Sequence, residues 1–114
     1  MQLKEIIEKM NLKVVSGNNH LAVPVSGGYV SDILSDVMAK AKKGTLWITT
    51  QTHENVIAIV FFRGLAGVIL PDGMQPDEIA LQKAREKDIP VLLTDLSAFE
   101  AAGRLYQLGI RGSN

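Results

Sequence analysis

Three short apolar runs, at residues 46–50, 65–70 and 89–94, constrain the fold of this chain more than any other feature. Their side chains are mostly aliphatic or β-branched, without the apolar–polar alternation of a strand that has one wet face. With a hydrophobic content of 46% and only six aromatics, the core is expected to be aliphatic, a composition that suits a parallel sheet covered by helices. A stretch with helical signals follows each run. The second half therefore reads as strand 46–50, helix 53–63, strand 65–70, helix 76–87, strand 89–94 and helix 97–108. This is a parallel βαβαβα arrangement, right-handed by the general rule for such crossovers. The expected class is α/β: a single compact domain over residues 1–114, with a mainly parallel sheet built from βα units and helices packed on the sheet.

The helical segments differ in how clearly they declare themselves. Residues 56–62 are apolar throughout, and periodicity alone does not separate a buried strand from a buried helix. Thr52 as a cap with Asn55 three residues on, and the crossover that two neighbouring parallel strands need, favour the helix. A helix apolar on nearly every side must be covered by the sheet and by something else. Pro76 at the first helical position, with Asp77 and Glu78 in the first turn, opens the next helix. Ser97-Ala-Phe-Glu100 is a strict capping box, and Phe99, Ala102, Leu105 and Tyr106 form the expected inner face behind it. Trp47, between Leu46 and Ile48, is expected in the core.

The first half carries less regular signals. Leu3, Ile6, Ile7 and Met10 fit one face of a short helix that stops near Asn11. A brief strand over 12–15 and a turn over 16–19 follow. Residues 21–25 read as an edge strand, since Pro24 cannot donate to a ladder. Gly27 and Gly28 then precede a helix capped by Ser31 or Asp32, with Ile33, Leu34, Val37, Met38 and Ala41 as its apolar stripe and Gly44 as its end. A glycine pair before a helix can cradle an anion, but neither a dinucleotide nor a P-loop spacing is present, and a tight turn is the simpler reading. Residues 111–114 read as a short frayed tail.

Composition excludes several function classes. Lys+Arg and Asp+Glu balance at 12 each, so no net field draws nucleic acid or an anionic membrane. The local group Lys40, Lys42 and Lys43 ends a helix, where cations complement the dipole. There are no cysteines, so disulfides, thiolate catalysis and Cys-bound metals are excluded. The N-terminus lacks the apolar core of a signal peptide, and no run is long enough to span a bilayer, so a cytoplasmic location is expected.

In an open parallel sheet, ligands bind outside the carboxyl ends of the strands. Those ends carry Thr49, Thr50, Gln51, Thr52 and His53, then Asp72 and Gly73, then Thr94 and Asp95, with Gly27 and Gly28 as candidates for the same edge. These eleven residues offer donors, acceptors and one titrating ring, which suits a small polar molecule. A catalytic reading would use His53 and Asp95 as base and orienter with Thr52 or Ser97 as nucleophile, but both hydroxyls are better placed as helix caps. His20 and His53 are the only histidines, and no spacing supports a metal site. No catalytic residue, metal or cofactor is expected.

Three stretches carry a family resemblance: Val25-Ser-Gly-Gly-Tyr-Val-Ser-Asp32, Gly44-Thr-Leu-Trp-Ile-Thr-Thr-Gln-Thr-His53, and Ile89-Pro-Val-Leu-Leu-Thr-Asp-Leu-Ser-Ala-Phe-Glu100. Together they resemble a stand-alone DRTGG domain over nearly the whole chain. That family is similar in fold to the N-terminal domain of HPr kinase/phosphorylase, and it also occurs beside CBS pairs and within some phosphotransacetylases. The family signatures are a Gly-Asp-Arg after the central strand and a Thr-Gly-Gly after the next. Here those positions read Thr50-Gln51-Thr52 and Pro71-Asp72-Gly73, so Gly73 alone is retained. The resemblance implies a regulatory module with a ligand-sensing or assembly role, and it favours the helical reading of 53–63. Expected partners are a second copy of the chain, a larger enzyme or a small polar metabolite. The competing class is an accessory subunit or enzyme component in phosphoryl or acyl-phosphate metabolism.

Overall fold

The computed structural model describes residues 1–112. Its centre is a five-stranded sheet of β1 (Lys13–Ser16), β2 (Gly27–Val30), β3 (Thr45–Ile48), β4 (Gly67–Leu70) and β5 (Val91–Leu93), in the spatial order β1-β5-β4-β3-β2. The four strands β2 to β5 are parallel, and β1 joins β5 antiparallel. Every side chain of β3, β4 and β5 is buried, as continuous apolar runs require. The α/β class and the mainly parallel sheet read from the sequence are thus observed.

Strand alternation deals these side chains to two cores. Trp47, Val68, Leu70, Val91 and Leu93 face helices α2 (Leu34–Lys40), α3 (Glu54–Arg63) and α4 (Glu78–Glu86). Leu46, Ile48, Ile69 and Leu92 face helices α1 (Leu3–Met10) and α5 (Ala98–Gln107). The result is a three-layer sandwich with three helices on one face and two on the other. Trp47 is wholly buried, and its indole N–H donates to the Ser31 carbonyl at 2.9 Å. It is a core residue with its one polar atom satisfied.

The ambiguous segment is the helix α3. It buries Val56, Ile57, Ile59 and Val60, and Gly64 in the left-handed region ends it. Its second cover comes from α2 and α4, which flank it on the same sheet face. Phe61 and Phe62 remain largely exposed.

Several boundaries and faces differ from expectation, each for a local reason. Residues 21–25 form no strand of the sheet. Their carbonyls instead serve the start of α1, where Leu3 N–H donates to Val23 and Lys4 N–H to Leu21 at 2.9 and 2.8 Å. The strand lies on Gly27–Val30, hidden from propensity by its two glycines. Pro76 lies before the cap of α4, not at its first position. Asp77 is held extended because its N–H donates to the Thr52 carbonyl at 2.9 Å and its carboxylate accepts from the Thr52 hydroxyl. In α5 the inner face is Ala101 and Leu105, while Phe99 and Tyr106 point outward at 84% and 60% exposure. Ile33 and Met38 likewise lie outside the core of α2.

The capping box holds in its first half, with Glu100 N–H donating to Ser97 Oγ at 3.2 Å. The tail is tied down at its start. Gly28 N–H donates to the Arg111 carbonyl at 2.8 Å, and Gly112 bridges Gly28 in parallel, covering part of the β2 edge. Ser113 and Asn114, the rest of the expected frayed tail, lie outside the described residues.

Thr45 is fully buried in β3, and its hydroxyl has no hydrogen-bond partner among the described residues. An orphaned buried hydroxyl costs about 1–3 kcal/mol, whereas an isosteric methyl carries no such penalty. Thr45→Val keeps the β-branch and is expected to raise the denaturant midpoint by an amount corresponding to about 1 kcal/mol. Chemical unfolding of the two proteins side by side checks this; a lower midpoint in the variant counts against it.

Candidate functional site

The connections leaving the carboxyl ends of the parallel strands decide where a ligand can sit. After β2, β3 and β4 the chain passes to the face of α2, α3 and α4; after β5 it crosses to the face of α1 and α5. Neighbouring strands whose connections depart to opposite faces leave a crevice between them. Here that point lies between β4 and β5. A cavity of about 570 Å³ opens there, lined on one side by Gly73 and Gln75 and on the other by Thr94 and Asp95. Because β1 runs antiparallel, with Lys13 opposite Leu93, the junction of α1 and β1 also reaches this edge. It adds Asn11 and Lys13 to the cavity wall, and α5 adds Arg104.

The backbone of this rim is tightly organised. Gly73 N–H donates to the Thr94 carbonyl at 3.0 Å and Asp72 N–H to the Leu96 carbonyl at 2.8 Å. Leu96 N–H donates to the Thr94 hydroxyl at 3.1 Å. Asp72 and Gly73 both have positive φ, at 58° and 69°. A Cβ on Gly73 would lie 3.2 Å from the Asp95 carboxylate, so glycine lets that carboxylate lie close over the turn.

The stretch after β3 forms a separate network. Thr49 Oγ1 and Thr50 N–H donate to the same Asp32 carboxylate oxygen at 2.8 and 2.7 Å. Gln51 N–H donates to Thr49 Oγ1 at 3.2 Å, and its amide nitrogen donates to the Asp32 carbonyl at 3.3 Å. Partial burial disfavours the Asp32 carboxylate, but the hydrogen bonds from Thr50 and Thr49 outweigh it and hold its pKa below the usual carboxylate value. Next to it, the Tyr29 hydroxyl donates to Asp36 at 2.6 Å, and Asp36 also pairs with Lys40 at 2.9 Å. The Tyr29 hydrogen bond, followed by that of Lys40, lowers the Asp36 pKa, and the same bond to Asp36 raises that of Tyr29.

The eleven expected site residues therefore divide. Gly73, Thr94 and Asp95 line the cavity, with Asp72 in the same turn. Thr49, Thr50 and Gln51 lie on the carboxyl edge but are engaged with Asp32. Thr52 does not cap α3; its hydroxyl donates to Asp77 at 2.9 Å. The cap is His53, whose Nδ1 accepts from Asn55 N–H at 3.3 Å. That bond occupies one ring nitrogen in a structural role. Gly27 and Gly28 lie at the amino end of β2, opposite Thr45 and Leu46, and so on the far edge of the sheet from all the others. The expected helix caps Ser31 and Asp32 also part ways: Ser31 Oγ accepts from Ile33 N–H, and Asp32 reaches across to β3.

Lys13, Arg104, Asn11 and Asp32 are not among the eleven expected site residues, and from the sequence Asp32 reads only as a helix cap. Placing the strand on 27–30 would have set Asp32 at a strand end and drawn attention to it. Lys13 and Arg104 reach the edge only through the antiparallel pairing of β1 and the crossover of α5, which carry no local sequence signal.

Fold and edge together define a three-layer α/β module with a crevice at its topological switch point. The chain belongs to the DRTGG domain family, whose model matches residues 5–108. Among solved structures it is similar to the CBS and DRTGG domains of the regulatory region of Clostridium perfringens pyrophosphatase, in complex with the activator diadenosine tetraphosphate. The TM-score is 0.74 at 16% identity, covering 93% of this chain and 46% of that one. This chain thus spans less than half of that solved chain. No curated protein matches the sequence. Among the described residues no helix is long and apolar enough to cross a membrane, and no cluster of three metal-ligating side chains occurs.

The depressed pKa of Asp32 fixes a sign. Its contribution to stability is present above the ordinary carboxylate pKa and is lost as pH falls through the lower folded value. Asp32→Asn is expected to lower the melting temperature at neutral pH and to flatten the acid-side loss of stability below about pH 4. Melting curves at several pH values check this; parallel profiles for variant and wild type count against it.

Proposed function

We propose that the protein is a regulatory, ligand-sensing module that acts as a homodimer and performs no chemistry of its own. The observation that carries this reading is the crevice between β4 and β5, on a domain whose family is regulatory. The polar groups nearest to a catalytic arrangement are already committed: the Thr52 hydroxyl to Asp77, Ser97 and His53 to helix caps. The similar pyrophosphatase region is complexed with an activator, diadenosine tetraphosphate, which supports an effector-driven role here. The effector is a small polar molecule held at the carboxyl edge by Gly73, Thr94 and Asp95.

Dimerisation is supported by the surface of α2 and α3. Met38 and Phe62 expose 40% and 74% of their surface along a shallow cleft also lined by Leu34, Ala58 and Ile59, and Ile33, at the start of α2, is 64% exposed. Phe61 is partly shielded, with the Lys87 ammonium 4.4 Å from its ring centre, but Phe62 has no such cover. Light scattering at tens of micromolar is expected to give twice the monomer mass, and Phe62→Asp to give the monomer. A wild-type monomer removes the dimer from this reading.

Thermal-shift screening with nucleotides, acyl phosphates and related metabolites tests the sensing role. An effector at a hundred times its Kd adds about 2.7 kcal/mol, a rise of many degrees for a domain of this size. Absence of stabilisation by any of them, together with stable co-purification on a larger enzyme, would favour the second reading: an accessory subunit in phosphoryl or acyl-phosphate metabolism. The size of the pyrophosphatase region relative to this chain is the observation behind that alternative.

A further inference from the structure

The charge around the switch-point cavity identifies a narrower class of ligand, resting on the sensing reading above. Lys13 and Arg104 approach the cavity from different elements, the start of β1 and the middle of α5. The chain as a whole is charge-balanced, so two cations on one cavity are a local feature. Neither takes part in an ion pair among the described residues, although three other pairs occur, and Asp95 on the same rim is likewise unpaired there. Both cations are exposed, able to move and to meet an incoming anion without losing an existing partner.

The remaining wall combines hydrogen-bonding groups with the apolar side chains of Met10, Leu93 and Leu96. Asn11, at φ 54°, and Gln75 supply amide groups, and the Thr94 hydroxyl already accepts from Leu96 N–H. Asp95 supplies an acceptor, positioned by the absence of a side chain at Gly73. A guanidinium and an ammonium together suit a phosphate, the first as a planar fork and the second as a mobile point charge. A carboxylate in the same cavity repels a bare anion and accepts from a hydroxyl or amino group. The pattern of two cations and one carboxylate therefore selects a molecule with an anionic end and a donor end. The volume, about 570 Å³, lies within the range of small-molecule sites.

We propose that the cavity between β4 and β5 binds a phosphate monoester of a small hydroxylated molecule, with the phosphate on Lys13 and Arg104 and a hydroxyl on Asp95. This assigns the effector class to residues outside the Thr49–Thr52 stretch, which is occupied by its own hydrogen bonds.

Amide chemical-shift titration of the full chain with ribose 5-phosphate, and separately with AMP, tests the assignment, with inorganic phosphate and ribose as controls. Saturable shifts are expected at Asn11, Lys13, Gly73 and 94–96 with at least one ester. Lys13→Ala and Arg104→Ala should each weaken that binding about tenfold or more, and Asp95→Asn should weaken the ester but not inorganic phosphate. Lys83→Ala, in α4 and outside the cavity wall, should change nothing. The substituted side chains are exposed, and the wild-type amide spectrum serves as the check on folding.

Absence of saturable shifts with either ester overturns the proposal. Equal affinity for inorganic phosphate and the esters also overturns it, because the donor end then has no role. Binding that is unchanged in both cation variants does the same. Stabilisation by a metabolite whose shifts map only to 49–53 would leave the sensing reading standing and remove this site. Ester binding here that alters neither self-association nor partner binding would leave the site standing and remove the sensing role.

Discussion

Three adjacent strands with every side chain buried impose the main constraint on this protein. A sheet of that kind is stable only if helices cover both of its faces, and the chain has few residues with which to do so. Three crossovers in succession cover one face with α2, α3 and α4. The opposite face must then be covered by whatever remains, which is α1 before the sheet and α5 after it. The change of side after β5 is therefore a packing requirement. The crevice is its by-product, present because the sheet has two apolar faces to hide.

Electrostatics then separates two regions of one edge. Beside β2 and β3, a single carboxylate, Asp32, collects the Thr49 hydroxyl and the Thr50 amide and fixes both strand ends. Beside β4 and β5, the Gly73–Thr94 and Asp72–Leu96 bonds join the rim backbone to itself, the Thr94 hydroxyl accepts from Leu96 N–H, and the Asp95 side chain lines the cavity. Polar residues of similar appearance in sequence thus have opposite fates. One group is consumed in holding the fold together, and the other remains free to meet solvent or a ligand.

This division explains what could be read from the sequence. The three apolar strands, all five helices and the α/β class followed from runs and periodicities that are local. The helix over 53–63 required an argument about connections, because its residues suit either state. The strand at 27–30 was obscured by two glycines and by a more strand-like neighbour at 21–25, whose carbonyls turn out to complete α1. Helix faces failed where the inner residues are alanines: Ala101 marks the buried side of α5, yet Phe99 and Tyr106 have the greater hydrophobicity. Gly73, Thr94 and Asp95 lie at the carboxyl ends of the strands, where topology alone puts them. Lys13 and Arg104 were invisible, because only the three-dimensional closure of the first strand and last helix brings them together.

That closure has a consequence for how the chain reaches its native state. The Ser16 hydroxyl donates to the Ile89 carbonyl across 73 residues of sequence, and Arg85 reaches the Val15 carbonyl across 70. Gly17, in the left-handed region, passes so close to Pro90 that a Cβ there would collide with its backbone. The first strand therefore has no sheet partner until the last strand is in place. Contacts of such long range repay the entropy of loop closure only late. During synthesis, β1 has no sheet partner until β5 has emerged. The seam between β1 and β5 is thus expected to close late in folding.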